Sequence, residues 1–213
     1  MNVGIFFDLD GTLWDSAEKV VKSWNEVFER RNLDLRITIQ DMHNVMGKVM
    51  TEIADILMSD VPKEERDALL KECEIHENEL IRKEGGILFD NVEETLQILS
   101  EKYKLFIISN CQKNYIESFL EYYGFEKYIT DTENPGVTGL PKADNIKLVA
   151  QRNAIDRIIY IGDTNGDYLS TKTAGGLFIH AAYGFGTIED ETLKISDISE
   201  LPNMIEKIEN QEI

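Results

Sequence analysis

The run Val3-Gly4-Ile5-Phe6-Phe7-Asp8-Leu9-Asp10-Gly11-Thr12 governs how the rest of the chain is read. Its first five residues are almost continuously apolar, which predicts a strand buried on both faces. Such strands belong to parallel sheets, whose ligands sit beyond the carboxyl ends of the strands. Asp8 and Asp10 stand at that end. In extended chain they point the same way while Leu9 turns to the core. Two neighbouring carboxylates repel unless a cation or a shared proton compensates, and Gly11 lets the backbone turn sharply just beyond them. A solvated acidic turn could carry the same residues, but an apolar strand here delivers them to the usual ligand-binding edge.

Outward from this run the hydrophobic period changes. Ala17, Val20, Val21, Trp24, Val27 and Phe28 form one helical stripe, with Ser16 as a candidate N-cap. Helical stretches about Val49 to Met58 and Lys63 to Lys83 follow without an intervening strand, and Gly85-Gly86 ends the block. Alternation then sets in. Val92 to Ser100 reads as helix, Leu105 to Ser109 as strand, and Tyr115 to Tyr123 as a helical stripe closed by Gly124. Tyr128 to Asp131 suits a short strand, and Pro141 the first turn of a helix through about Asn153. Arg157 to Ile161 and Leu177 to Ala181 are further apolar strands separated by a helix. The fold expected is α/β: a Rossmann-like parallel sheet flanked by helices, with an all-helical cap inserted after the first strand. The corresponding domains are a core of 1–14 and 86–213 and a cap of 15–85.

The chain has 213 residues, enough for a core domain carrying a smaller one, and 42% apolar residues argue for a globular fold. With 22 Lys+Arg against 40 Asp+Glu the net charge is −18, which disfavours nucleic acid and anionic membrane surfaces as partners. Most of those acids are expected on solvated faces. No apolar stretch is long enough to span a membrane, and Met1-Asn2-Val3 runs straight into the first strand. The expectation is a soluble cytoplasmic protein without a secretory signal. Cys73 and Cys111 make no disulfide framework and have no metal-type spacing. Oligomeric state is not legible.

Three more clusters fall where strands should end. Gly162-Asp163-Thr164-Asn165-Gly166-Asp167 follows the strand at 157–161; its acids suit a hard cation such as Mg²⁺, or equally an N-capping turn. Ser109-Asn110 offers a hydroxyl and backbone N–H groups. Lys142 opens a helix where a phosphate could meet free N–H groups, and it supplies the only cation among the clusters.

In order, Asp8-x-Asp10-Gly11-Thr12, Ser109-Asn110, Lys142 and Gly162-Asp163-Thr164-x-x-Asp167 resemble the four motifs of the haloacid dehalogenase superfamily. The insertion after the first motif is similar to the cap of its phosphoglycolate phosphatase-like and β-phosphoglucomutase-like branch. Asp15-Ser16, Gly47 with Glu52, and Gly175-Gly176 extend the likeness over nearly the whole chain. Chemistry and resemblance together imply a Mg²⁺-dependent phosphatase acting on a small phosphorylated metabolite. Asp8 would be the nucleophile and Asp10 the general acid and base, with Thr12 supporting. Mg²⁺ would be held by the Asp8 carboxylate, the Asp10 carbonyl and Asp163. Ser109, Asn110 and Lys142 would bind the phosphoryl oxygens, and Asp167 would orient Lys142 or metal-bound water.

Rival activities are constrained by single positions. A dehalogenase proper has no leaving oxygen to protonate and so no need of Asp10. The mutase pattern has a His where this chain has Val20, and a phosphonoacetaldehyde hydrolase needs a cap lysine where this chain has Met50. A response-regulator receiver orders its acids differently and lacks a cap. A phosphosugar mutase and a non-catalytic binder of a phosphorylated ligand remain the alternatives. His43 and Lys48 are expected on a solvated cap surface, Cys111 as a buried filler, and Met42, Met46, Met50 and Met58 as cap packing. His76 and His180 are expected to be unpaired.

Overall fold

The computed structural model describes residues 2–190 and 192–211. The opening apolar run is strand β1 (Val3–Phe7), and its alternate residues serve the two faces of a sheet. Phe6 packs with Phe106, Ile146, Val149 and Tyr160 on one face, its ring stacked 4.5 Å from that of Phe106. Ile5 and Phe7 join Ile107, Ile159 and Ile161 in the larger cluster on the other. Burial on both faces is why the run shows no polar alternation.

Beyond Asp10 a two-residue strand, β2 (Trp14–Asp15), leads into helices α1 (Ala17–Arg30), α2 (Ile39–His43), α3 (Met50–Leu57) and α4 (Lys63–Glu84), and β3 (Ile87–Leu88) returns the chain to the core. β2 and β3 pair antiparallel, Trp14 opposite Leu88 and Asp15 opposite Ile87, so both crossings between core and cap run through one ribbon. Gly86 permits this closeness, since a Cβ there would lie 2.8 Å from the Trp14 ring. Neither short strand was expected, because two residues cannot display a period. The five-residue α2 was also missed; it is set by a Thr38–Asp41 capping box.

The core then alternates: α5 (Val92–Ser100), β4 (Lys104–Ile108), α6 (Tyr115–Tyr123), β5 (Ile129–Glu133), α7 (Pro135–Thr138), α8 (Lys142–Arg152), β6 (Arg157–Gly162), α9 (Asn165–Ala174), β7 (Leu177–Ala181), β8 (Leu193–Ile195) and α10 (Leu201–Glu209). Among the described residues, six strands form one parallel sheet in the order β5-β4-β1-β6-β7-β8. Gly124 closes α6 in the left-handed conformation, as expected, with φ 68°. No expectation covered β8 or α10.

β1 lies between β4 and β6, so chain order reverses there and a crevice opens between their carboxyl-end loops. Phe7 pairs with both Ile107 and Ile161, which brings Asp8, Ser109 and Asp163 to the same edge.

Three sequence expectations need correction. Ser16 occupies the N-cap position of α1 but makes no capping bond; its hydroxyl is spent on Asp10. The acids outside the site are not all solvated, because Glu77 and Glu133 are buried. His76 is not unpaired, since its Nε2 lies 2.6 Å from Glu26 Oε2. Among the described residues, no helix is long and apolar enough to cross a membrane.

Candidate active site

The Asp8 N–H donates to the Ile161 carbonyl at 2.8 Å, so the sheet bonding continues one residue past β1 and fixes where this carboxyl stands. Asp8 is 1% exposed and Lys142 3% exposed. Lys142 Nζ donates to Asp8 Oδ1 at 2.9 Å and to Asp167 Oδ1 at 2.5 Å. An ammonium this deep is tolerable only with such partners. Burial opposes its charge, but Asp167 and Asp8 together raise the Lys142 pKa well above the ordinary lysine value.

Asp167 serves two ends at once. Its Oδ2 accepts from the Thr164 N–H and hydroxyl, while the Thr164 hydroxyl oxygen accepts from the Asp167 N–H, forming the capping box of α9. The other oxygen, Oδ1, faces Lys142. The N-capping turn that the sequence offered for this cluster is present, and the same carboxyl also reaches Lys142.

Asp8, Asp163 and Asp167 bring carboxylate oxygens within 4.8 Å of one another, all buried. Burial, then the charge of Asp167, push Asp8 up to about 7, with Lys142 pulling the other way. Burial, then Asp167 and Asp8, push Asp163 up to about 8. Asp8 Oδ2 and Asp163 Oδ1 are buried with no hydrogen-bond partner. Two orphaned hard oxygens in an acidic cluster suit a divalent cation that prefers oxygen ligands, as Mg²⁺ does. The loop after β7 holds Asp163 from the other side, with the Phe185 and Gly186 N–H groups donating to Oδ2 at 2.8 and 3.1 Å. Gly184 allows that approach, because a Cβ there would meet Asp163 at 2.4 Å. The Gly184-Phe185-Gly186 spacing after an apolar strand was the available signal for this loop, and it was not used.

Asp10 is set apart from the cation cluster. The hydroxyls of Ser16 and Tyr115 donate to its Oδ1 at 2.6 and 2.9 Å and lie 2.8 Å from each other. Burial pushes its pKa up to about 6, and these hydrogen bonds restrain the rise. Periodicity alone places Tyr115 in a helical stripe; nothing in the sequence marks its hydroxyl as a partner of Asp10.

Ser109, Asn110, Asp8 and Asp10 share a cavity that encloses about 30 Å³. Asn110 Nδ2 donates to the Gly47 carbonyl at 2.9 Å, tying this core loop to the cap. Thr12 is fully buried, and its carbonyl accepts from the Tyr183 hydroxyl at 2.8 Å. Cys111 also lines the cavity; burial raises its thiol well above the ordinary value, so it stays neutral. On the cap side, Met42, Met46 and Met50 line the cavity as well as packing the cap, which corrects the expectation of packing alone. Lys48 is exposed at the mouth. His43 is not on a free surface: its Nε2 lies 3.2 Å from Asp15 Oδ2 and its ring stacks 4.6 Å from Phe185. Trp24, Glu77 and Gln112 complete the wall, and none was singled out from the sequence.

Comparison with known proteins agrees with this fold. The phosphoglycolate phosphatase of Escherichia coli (strain K12) is 26% identical over 229 residues, covering 92% of this chain and 87% of the relative. That of Xanthomonas campestris pv. campestris (strain 8004) is 26% identical over 197 residues, covering 89% and 87%. A haloacid dehalogenase-like hydrolase from Bacteroides fragilis superposes with a TM-score of 0.81 at 24% identity, covering 94% of this chain and all of the other. A haloacid dehalogenase-like family protein from Streptococcus pneumoniae also gives 0.81, at 19% identity, covering 96% and 98%. The family model described as haloacid dehalogenase-like hydrolase matches residues 5–181, the span that carries the strand-end acids, Ser109 and Lys142. The chain belongs to the haloacid dehalogenase-like hydrolases.

Proposed function

We propose that the chain is a Mg²⁺-dependent phosphatase that hydrolyses a small phosphorylated metabolite through an aspartyl-phosphate on Asp8. The observation that carries it is the state of Asp8: one carboxylate oxygen is clamped by Lys142, and the other is buried and unpartnered at the mouth of the cation cluster. The phosphoglycolate-phosphatase-like branch fits the relatives that match over most of the chain. The core is taken as 1–14 and 86–213 and the cap as 15–85.

The Asp8 carboxylate attacks phosphorus as the bond to the leaving oxygen breaks, and Asp10 gives its proton to that oxygen. Asp10, with a pKa near 6, holds a useful fraction of that proton near neutrality. Ser16 and Tyr115 keep its carboxyl aimed rather than free to rotate. In the second half Asp10 takes a proton from water, which attacks phosphorus and breaks the bond to Asp8. Lys142, the Ser109 hydroxyl and the Asn110 backbone hold the equatorial oxygens, where charge spreads as the bond order falls. Asp167 positions Lys142 for this. Mg²⁺ bound by Asp8 and Asp163, with the Asp10 carbonyl, would supply the positive charge that lets phosphate approach these carboxylates.

The test is phosphate release from a broad panel of phosphate esters in the presence of Mg²⁺, with Asp8→Asn as the control. Release that needs both Asp8 and the cation is expected. A panel without any turnover would sink the reading, and so would an Asp8→Asn variant that matches the parent chain.

A further inference from the structure

The leaving-group end of the cavity offers acceptors and methyl groups. The cap contributes Val20, Met42, Met46, Met50 and Ile53, and one polar cluster centred on Glu77. Trp24 Nε1 donates to Glu77 Oε2 at 2.5 Å. Gln112 Nε2 donates to Glu77 Oε1 at 2.8 Å and to Asn78 Oδ1 at 3.1 Å. With the Asn78 amide nitrogen spent on the Lys113 carbonyl at 2.9 Å, the N–H donors of the cluster are committed. The Gln112 bonds also fix which way its amide faces, because its nitrogen meets two acceptors.

Gln112 is buried, and its Oε1 has no hydrogen-bond partner. A buried carbonyl left without a donor is rare and costly, so a ligand that brings a donor is favoured there. Asn110 Oδ1 on the same wall is likewise buried and unpartnered, a second free acceptor, whereas the Tyr115 hydroxyl is committed to Asp10 and the Asn110 amide nitrogen to Gly47. Lys48 is the one cationic side chain that the cap brings to the cavity, and it stands exposed at the mouth.

A carboxylate on the leaving group would therefore lose its water and meet acceptors and thioethers in exchange. A hydroxyl or an ammonium would meet Gln112 Oε1. The cavity is small, about 30 Å³, and partly open, which favours a compact group without shutting out a larger one. We infer that this chain selects the phosphate ester of a small alcohol that carries a second hydrogen-bond donor and no anion, read by Gln112 Oε1. Gln112 is the residue that touches the leaving group. Glu77 and Trp24 are positioning residues that hold its amide. The inference rests on the phosphatase reading.

Initial rates with Mg²⁺ on four esters test it: glycerol 1-phosphate, phosphoethanolamine, phosphoglycolate, and p-nitrophenyl phosphate as a reference. At least one of the first two is expected to exceed phosphoglycolate in kcat/KM by about tenfold or more, because a site built around a hydrogen bond rejects ligands that cannot make it. Which of the two leads tells hydroxyl from ammonium. Gln112→Met removes the acceptor at similar length and should bring that ratio down to within about threefold of unity. Glu77→Gln should shrink the same ratio through KM for the donor-bearing ester, a readout that a purely structural role would not move. Lys48→Ala should leave the ratio as it is.

The wild-type ratio decides before any variant is made. Turnover of the reference ester with phosphoglycolate as the best substrate overturns the inference and leaves the phosphatase reading standing. A ratio that survives Gln112→Met, or that Lys48→Ala abolishes, also overturns it. No turnover of any of the four esters, with release from another ester of the broad panel, overturns this inference alone; no release from the whole panel overturns the phosphatase reading, and this inference with it.

Discussion

The two walls of the cavity are built on opposite principles. The core side rests on strand ends and helix starts: Asp8 and Asp163 follow β1 and β6, Lys142 and Asp167 stand in the first turns of α8 and α9, and sheet register, a capping box and mutual charge hold them. The cap wall is made of helix faces, where Val20, Trp24, Met42 and Ile53 show the same apolar side that packs the cap interior. One wall concentrates charge whose cost must be offset locally; the other has a single buried carboxyl, Glu77. Chemistry that needs placement to a fraction of an ångström sits on the sheet edge, and selection is left to the cap face together with Gln112, the core residue bonded to Glu77.

If that division is right, substitutions at Asp8 and Asp10 or their partners act on turnover, and substitutions in the Glu77–Gln112–Trp24 cluster act on substrate choice and stability. The largest effect is expected from Asp8→Asn, which keeps shape and removes the carboxylate proposed as nucleophile. Phosphate release should fall by at least about 10³-fold for every ester. An effect confined to one ester would break the comparison.

Next comes Tyr115→Phe, which deletes one hydroxyl donor to Asp10. A fall of about tenfold in kcat with KM nearly unchanged is expected, since the loss concerns proton transfer rather than binding. The Tyr115 hydrogen bond lowers the Asp10 pKa, so its removal should move that pKa above about 6. In a pH–rate profile the limb set by Asp10 then shifts to higher pH.

Cation binding should be proton-linked. In the metal-free chain Asp8 and Asp163 titrate near 7 and 8, raised from 3.8. Between the unfolded and folded values the folded state holds more protons than the unfolded one, so stability falls as pH rises through that window. Mg²⁺ displaces those protons, so its affinity should rise with pH. In thermal melts with a chelator, Tm should decline from about pH 5 to about pH 8, and the gain on adding Mg²⁺ should be largest at the upper end. A Mg²⁺ gain independent of pH would show that the acids are not its ligands.

On the cap wall, Trp24→Phe leaves Glu77 Oε2 without its donor in a buried setting. That costs about 1–3 kcal/mol, or a few degrees of Tm for each kcal/mol in a chain of this size. The smallest effect is expected from Thr164→Ala. It removes the hydroxyl of the α9 capping box and costs about 1 kcal/mol, because Asp167 keeps its Lys142 partner. Loss of activity with Thr164→Ala as large as that with Tyr115→Phe would show that the capping box, rather than Lys142, sets the Asp167 carboxyl.

The amino-acid sequence by itself determined five of the six strands of the sheet and their ligand-binding edge. Strands covered on both faces, such as Val3–Phe7 and Arg157–Gly162, show as continuous apolar runs, so the acids that follow them could be assigned to one edge before any coordinates. The contiguous clusters at 8–12 and 162–167 were legible for the same reason: their geometry is local. The hinge ribbon of Trp14–Asp15 and Ile87–Leu88 was not, since two residues carry no period. Nor were the partners of Asp10 and Glu77. Tyr115 stands 105 positions from Asp10, and Gln112 stands 35 from Glu77. Tyr115 sits on a helix whose pattern records only that one face is buried, and Gln112 sits in the loop before it, where there is no period to read. Which hydroxyl or amide meets which carboxyl depends on how α4 and α6 dock on each other and on the sheet, and only the tertiary structure decided that.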